Sequence, residues 1–204
     1  AYGGDSVFTA TAAAAPDVYV GGYSQVGSSG DIPTVWKNGV ATLLPYTGTS
    51  ADVNAIYVSG TDVHAAGFQV IGASEAGLIW KNSSITSNGL VPCGPWWARG
   101  IFVSGTDVYV VGEEDDCSSN RLVRVWKNGV ASTLPAGTLD AGASAVYVSG
   151  TDVYVAGYDY TSSTNYIAKL WKNGVAATLP SGSSDAEATA IALSGTDVYV
   201  AGNE

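Results

Sequence analysis

The sequence predicts an all-β fold in which a unit of four antiparallel strands recurs along the chain. An aspartate in the segment Ser-Gly-Thr-Asp-Val-Tyr-Val returns every 45 residues across the 204 residues. The apolar runs around it are short, rich in Val, Tyr, Ile and Thr, and bounded by turn residues, as is typical of strands. A Trp-Lys-Asn-Gly segment follows in three of the repeats and supplies a hairpin-turn signal. Repeats of this length and content decide the fold class before any single residue does.

Three landmarks set the repeat boundaries. The repeated aspartates are Asp17, Asp62, Asp107, Asp152 and Asp197. The repeated tryptophans are Trp36, Trp80, Trp126 and Trp171, and the prolines that end each unit are Pro45, Pro92, Pro135 and Pro180. They divide one domain, residues 1–204, into repeats at about 1–45, 46–90, 91–135 and 136–180 and a half repeat at 181–204.

Within the fourth repeat four strands are predicted, at Ala145–Ser149, Val153–Tyr158, Ile167–Lys172 and Val175–Leu179. The Asn-Gly between the last two strands suits the positive φ angles of a type I′ turn, and Gly-Thr makes a similar reversal between the first two. Both pairs are therefore predicted to be hairpins.

Four antiparallel strands in about 45 residues match one blade of a β-propeller. The charged fraction of only 13% fits, because a blade packs both of its faces on its neighbours. The repeated tryptophan would fill the wedge between blades. A barrel or a solenoid would explain the strands, but a barrel needs no 45-residue period.

The half repeat leaves the number of blades open. We expect five blades with an incomplete last blade, and the alternatives are a four-bladed ring with an extra hairpin or a fragment of a larger propeller. The exposed edge of the last blade's second strand is predicted to be a self-association site.

The repeats also carry a family resemblance. Ala-Val-Tyr-Val-Ser-Gly-Thr-Asp-Val-Tyr-Val-Ala-Gly-Tyr, followed by Ala-Lys-Leu-Trp-Lys-Asn-Gly-Val-Ala, resembles the tandem propeller repeats of bacterial secreted and cell-surface proteins. The architecture is similar to that of kelch and WD-type propellers, without their Gly-Gly or Trp-Asp signatures. The resemblance implies a propeller fold and an extracellular or cell-surface setting, and it implies no catalytic residue.

Charge and composition narrow the choice of partners. A formal net charge of −10 argues against nucleic-acid and anionic-membrane partners, which need a cationic surface. No apolar run approaches the roughly 18 residues of a membrane helix. Two cysteines, an acidic surface and abundant Ser, Thr and Gly fit an extracellular setting, and a start at Ala1 without any Met suggests a mature product or an excised segment.

The loops that follow the second and fourth strands vary in length, so we expect function on their face of the molecule. Aromatic rings there could stack on sugar rings while nearby carboxylates and amides bind the hydroxyls. The alternative is that these rings pack between blades. The candidate ligand-binding residues are Trp96, Trp97, Tyr23, Tyr46, Tyr158 and Tyr160.

The third repeat departs most from the others. Its carboxylates Glu113, Glu114, Asp115 and Asp116 could hold a calcium ion, although a solvated turn neutralised by Arg121 and Arg99 is the alternative. In the first hairpin of this repeat, the numbers of any two paired residues should sum to 211. The numbers of Cys93 and Cys117 sum to 210, so these two cysteines should face each other across that hairpin. A disulfide between them is predicted.

No catalytic motif stands out, and the only histidine, His64, lies at a strand position expected to be buried. A carboxylate-dependent hydrolase remains the enzymatic alternative, because 18 acidic residues allow many pairs. The sequence therefore favours a non-enzymatic extracellular binding module with a carbohydrate ligand. No cofactor is expected apart from the possible calcium ion. The alternative is an adhesive surface protein that assembles through its incomplete blade.

Overall fold

The computed structural model describes residues 16–25, 30–88, 95–116, 120–137, 139–182 and 185–204. These residues form 17 β-strands and no helix, so the prediction of an all-β chain is confirmed. None of them forms a helix with the length and hydropathy needed to cross a membrane.

The strands form five separate antiparallel sheets, one for each repeat. Sheet 1 contains β1 (Tyr19–Ser24), β2 (Ile32–Lys37) and β3 (Val40–Leu43). Sheet 2 contains β4 (Ser50–Ser59), β5 (Asp62–Ile71), β6 (Ser74–Lys81) and β7 (Ser84–Asn88). Sheet 3 contains β8 (Trp96–Ser104), β9 (Asp107–Asp115), β10 (Arg121–Lys127) and β11 (Val130–Thr133). Sheet 4 contains β12 (Ala141–Ser149), β13 (Asp152–Tyr160), β14 (Tyr166–Lys172) and β15 (Val175–Thr178), and sheet 5 contains β16 (Glu187–Ser194) and β17 (Asp197–Asn203). The first strand of repeat 1, expected to begin near Asp5, lies outside the described residues.

The two tight turns of each unit differ in type. Asn173 and Gly174 both have positive φ, 51° and 80°, as the predicted type I′ turn requires. In the turn before Asp152 only Gly150 has positive φ, 59°, which is the type II′ pattern. The Gly-Thr turn between the first two strands is therefore a two-residue turn as predicted, but it is of type II′ and not of type I′.

A β-bulge interrupts the first hairpin of sheets 2 to 5, and the sequence prediction missed it. In sheet 4 the register shifts at Ser144, and pairing then continues back to Ala141, four residues before the predicted start of the strand. Gly157 lies opposite the shift, where an added Cβ would overlap the carbonyl oxygen of Gly142. The glycine of the repeated Val-Ala-Gly is thus required by the close approach of the two backbones.

The first strands of successive sheets contact each other in chain order, from β4 through β8 and β12 to β16. The middle strands of each sheet also contact the first strand of the next, so the sheets pack face against face. Apolar clusters fill the spaces between them. In two of these spaces the indole nitrogen of a buried tryptophan donates a 2.7 Å hydrogen bond to a proline carbonyl oxygen of the preceding sheet, from Trp80 to Pro45 and from Trp171 to Pro135.

The repeated aspartates join the two tight turns of their sheets. In sheet 4, Asn173 donates to Asp152 Oδ1 at 2.7 Å, and Lys172 Nζ lies 2.7 Å from Asp152 Oδ2. The amide of Val153 donates to Asn173 Oδ1 at 2.8 Å. The same contacts recur around Asp17, Asp62 and Asp107. These aspartates therefore bond to the second hairpin of their own sheet.

Sheet 5 differs from the others because its second strand has no neighbour on its outer side among the described residues. Tyr199 in β17 is 58% exposed, whereas Tyr154, at the same position in sheet 4, is 7% exposed. Within the part of the chain that the structure describes, the outer edge of β17 is therefore an unpaired strand edge.

Candidate functional site

A cavity of about 440 Å³ lies where sheets 2 to 5 converge. It opens beside the ends of strands that are followed by long connections, because β9 and β13 end there and β14 begins there. Its lining residues are Asn54, Arg99, Glu113, Ser144, Tyr158, Tyr160, Tyr166 and Glu187.

Three of the lining residues are the bulge residues of their first strands. Asn54, Arg99 and Ser144 stand at the register shifts of β4, β8 and β12 and are spaced by one repeat. A bulge releases one residue from strict alternation and can aim its side chain away from the sheet faces. Asn54 then donates to the carbonyl oxygen of Ala98 in the next sheet at 2.9 Å, and Ser144 donates to Glu187 Oε1 at 2.9 Å.

Three tyrosines from sheet 4 form the aromatic side of the cavity. Tyr158 and Tyr160 end β13, and Tyr166 begins β14 opposite Tyr160. Their ring centroids are 5.3 to 5.8 Å apart, and the rings are tilted or edge-on to each other. Burial, together with the nearby charge of Glu113, raises the pKa of Tyr158 to about 12. Its phenol therefore stays neutral and able to donate a hydrogen bond at any ordinary pH.

Two carboxylates and one guanidinium form the charged side. Glu113 is buried, and Arg99 Nε donates to its Oε2 at 3.1 Å. Burial raises the pKa of Glu113, the charge of Arg99 opposes that shift, and the charge of Glu187 adds to it. The cavity therefore holds two carboxyl groups and one guanidinium.

The two candidate tryptophans lie elsewhere. Trp96 is 3% exposed and packs on Trp126 with ring centroids 4.7 Å apart, against Gly77 of the preceding sheet. Trp96 is therefore packed between sheets, as in the alternative interpretation of these rings, and its role in ligand binding stays a prediction. Trp97 is half-buried, its indole nitrogen donates to Glu75, and the guanidinium of Arg121 covers its ring at 5.0 Å.

The other candidate tyrosines are also outside the cavity. Tyr46 is half-buried and packs against the apolar cluster between sheets 1 and 2. Tyr23 is 52% exposed near the end of β1. Of the six aromatic candidates, only Tyr158 and Tyr160 line the cavity.

The acidic run is divided among the arginines. Glu113 pairs with Arg99, Glu114 Oε2 accepts from Arg124 Nε at 2.6 Å, and Asp115 lies 3.8 Å from Arg121. Asp116 accepts from Asn120 at the end of the run. Successive strand residues point to opposite faces, so these carboxylates do not converge. Within the described ranges no three His, Cys, Asp or Glu side chains are placed to hold a metal ion, and the calcium site stays a prediction.

Both cysteines of the predicted disulfide, Cys93 and Cys117, lie outside the described residues. The nearest described pair, Trp96 and Glu114, belongs to the register beyond the bulge, in which paired numbers sum to 210. That is the sum of the two cysteine numbers. The disulfide stays a prediction.

Sequence reasoning missed four residues that line the cavity, Asn54, Ser144, Tyr166 and Glu187. Asn54 and Ser144 could have been found because each is a polar residue that lies 45 positions from Arg99. Glu187 had no such signal, because the other residues at its position in the repeat are Val7, Asp52, Trp97 and Gly142.

No family model matches the sequence, and no curated protein matches it significantly. Function is therefore inferred from the residues that line the cavity.

Proposed function

We propose that the five sheets are blades of a β-propeller and that the chain is an extracellular or cell-surface carbohydrate-binding module. The propeller is supported by the consecutive contacts of the first strands β4, β8, β12 and β16 and by the packing of each sheet face on the next. Five blades with an incomplete last blade account for the five repeats, with a four-bladed ring or part of a larger propeller as the alternatives.

The single observation that supports carbohydrate binding is that three tyrosines, two carboxylates and a guanidinium line one cavity. A sugar presents apolar C–H faces and a rim of hydroxyl groups. The faces suit the rings of Tyr158, Tyr160 and Tyr166, and the hydroxyls suit Glu187, Glu113 and Arg99.

Charge selects among sugars. The chain has a formal net charge of −10, and the cavity holds two carboxyl groups against one guanidinium, so sialylated, uronic and sulfated sugars are disfavoured. Neutral hexoses and their oligosaccharides are the expected ligands.

An extracellular setting is supported by composition and by the resemblance of the repeats to those of secreted bacterial proteins. A net charge of −10 and the paucity of lysine and arginine also leave nucleic acids and anionic membranes as poor partners.

The test is a glycan array followed by titration calorimetry with the neutral glycans that bind. Tyr160→Ala and Glu187→Gln should each weaken binding by roughly tenfold or more, as expected for residues central to a site. Tyr23→Ala is the matched control, because Tyr23 is exposed and lies outside the cavity. The absence of saturable binding, or equal loss in the Tyr23 variant, would refute the proposal. Release of free sugar would instead favour the carboxylate-dependent hydrolase.

A second candidate function, adhesive self-assembly through the incomplete blade, is favoured by one observation. The outer edge of β17 faces no strand among the described residues, and such edges pair readily with other chains. Sedimentation of the chain over a concentration series tests it, and a monomer at every concentration would exclude it.

A further inference from the structure

Sheet 5 contains an empty cavity at the place where the preceding sheets bury a tryptophan. The cavity has a volume of about 300 Å³ and lies between sheet 4 and the hairpin β16–β17. The apolar residues that line it include Ala168, Leu179, Ala186, Ala188 and Val200, with Pro180 at its edge.

The same positions one repeat earlier surround Trp171. This indole is 0% exposed and packs in an apolar cluster. Five residues of the cluster each lie 45 positions before a residue that lines the empty cavity. Those residues are Val123, Leu134, Ala141, Ala143 and Val155. Pro135, which accepts the hydrogen bond of the Trp171 indole, corresponds to Pro180. Three repeats before the positions of sheet 5, Trp80 fills the corresponding space and bonds to Pro45.

The backbone of β17 offers the matching strand edge. In sheet 4, Val153 both donates to Asn173 Oδ1 and accepts from the Asn173 amide at 2.8 Å, so its backbone faces β14. Alternation along an antiparallel strand gives Val155 and Gly157 the same orientation. In β17 the corresponding residues are Val198, Val200 and Gly202, whose amides and carbonyls therefore face outward with no strand opposite among the described residues.

Charge points to the same partner. Each of the four preceding aspartates receives a lysine ammonium at 2.7 Å and an asparagine amide from the next hairpin. Asp197 stands at the same position in sheet 5, and in the described chain neither a lysine nor an asparagine reaches its carboxylate.

From these three observations we infer that the edge of β17 and the cavity beside it form a docking site for a β-hairpin that carries Trp-Lys-Asn-Gly. The hairpin adds to β17 as the next antiparallel strand, with its tryptophan opposite Val200, as Trp171 lies opposite Val155. Its indole enters the cavity and donates to the Pro180 carbonyl, and its lysine and asparagine bind Asp197.

This inference goes beyond the proposed functions, because it specifies the chemistry of the partner that the edge of β17 binds and does not require self-assembly. It is independent of carbohydrate binding in the larger cavity. It also predicts that Tyr199 becomes covered by the incoming lysine, as Tyr154 is by Lys172, whose ammonium lies 5.1 Å from the ring centroid.

The experiment uses the whole chain and a fluorescent synthetic peptide with the sequence of residues 166–180, which contains Trp-Lys-Asn-Gly. Anisotropy should show saturable binding in 1:1 stoichiometry. Replacing the peptide's tryptophan, Trp171→Ala, should weaken binding by at least about tenfold, because it removes the buried anchor. The matched control peptide carries Val175→Ala, since this valine is exposed in sheet 4, and should bind as the parent does. Asp197→Ala in the chain should weaken binding of the parent peptide, but it should not weaken binding of a peptide that carries Lys172→Ala and Asn173→Ala.

Two results would overturn the inference: no saturable binding up to about 1 mM peptide, which is the limit of weak specific association, or equal binding of the Trp171→Ala peptide. Sedimentation separates this failure from that of self-assembly. If the chain self-associates and the peptide does not disperse the assembly, the chain assembles through a surface other than the edge of β17. A monomeric chain that binds the peptide supports the docking site and excludes self-assembly.

Discussion

The indole nitrogen of Trp171 donates a 2.7 Å hydrogen bond to the carbonyl oxygen of Pro135, which follows the last strand of the preceding sheet. This bond and the burial of the ring join sheets 3 and 4. Trp171→Ala should lower the free energy of unfolding by about 3 to 5 kcal/mol, because it leaves a cavity and an unpaired carbonyl. Urea denaturation measures the change.

Trp36→Ala is the matched comparison, because Trp36 occupies the same repeat position in sheet 1 but is only half-buried. It should cost clearly less than Trp171→Ala. An equal loss would mean that the repeat position, and not the burial between sheets, determines the contribution.

Protonation of His64 should weaken the fold in mild acid. Burial, followed by the nearby charge of Lys81, lowers the pKa of His64 below its usual 6.5. The unfolded chain therefore takes up the proton first, and stability present above pH 6.5 is lost as the pH falls toward the folded-state pKa. His64→Tyr, which restores the residue of the other repeats, should remove this part of the pH dependence. Urea midpoints between pH 5 and 8 test it, and a variant with an unchanged slope would contradict the assignment.

The two tight turns of a sheet should separate when its aspartate is removed. Hydrogen bonds from Lys172 and then Asn173 lower the pKa of Asp152, so the carboxylate stabilises the fold above its unfolded pKa of 3.8 and loses this effect in acid. Asp152→Ala should lower the urea midpoint at pH 7, and less so at pH 3.

Asp197→Ala is the control for that effect, because Asp197 occupies the same turn without those partners among the described residues. Its midpoint at pH 7 should stay within error of the parent. Equal losses in the two variants would show that the aspartate acts within its own turn.

The disulfide should be present in the folded chain. The register beyond the bulge at Arg99 sums to 210, as do the numbers of Cys93 and Cys117. Reduction of the folded protein should add the mass of two hydrogens, and it should destabilise the chain by on the order of 3 kcal/mol. Cys93→Ser combined with Cys117→Ser is the control and should be insensitive to reductant. An unreduced mass that already corresponds to two free thiols would refute the pairing.

The repeat and the Asn-Gly turns predicted the strand order, because both depend on local sequence. The bulge at Ser144 was not predicted, because it shows only as Gly157 on the opposite strand. Tyr158 and Tyr160 were chosen from loop length alone, and both line the cavity. Glu187 was not found, because it reaches the cavity through the packing of sheet 5 on sheet 4, which local sequence does not encode.

The bulges have a consequence for how this fold can change. Asn54, Arg99, Ser144 and Thr189 occupy one equivalent position per repeat, and none belongs to the apolar clusters between sheets. A substitution there alters the chemistry at the point of convergence and the hydrogen bonds of Asn54 and Ser144 to the next sheet, but it leaves the apolar clusters between the sheets unchanged. Duplication of a 45-residue unit thus copies the apolar packing between sheets together with one polar side chain at the point of convergence, so that side chain can change by a single replacement while the apolar core stays constant.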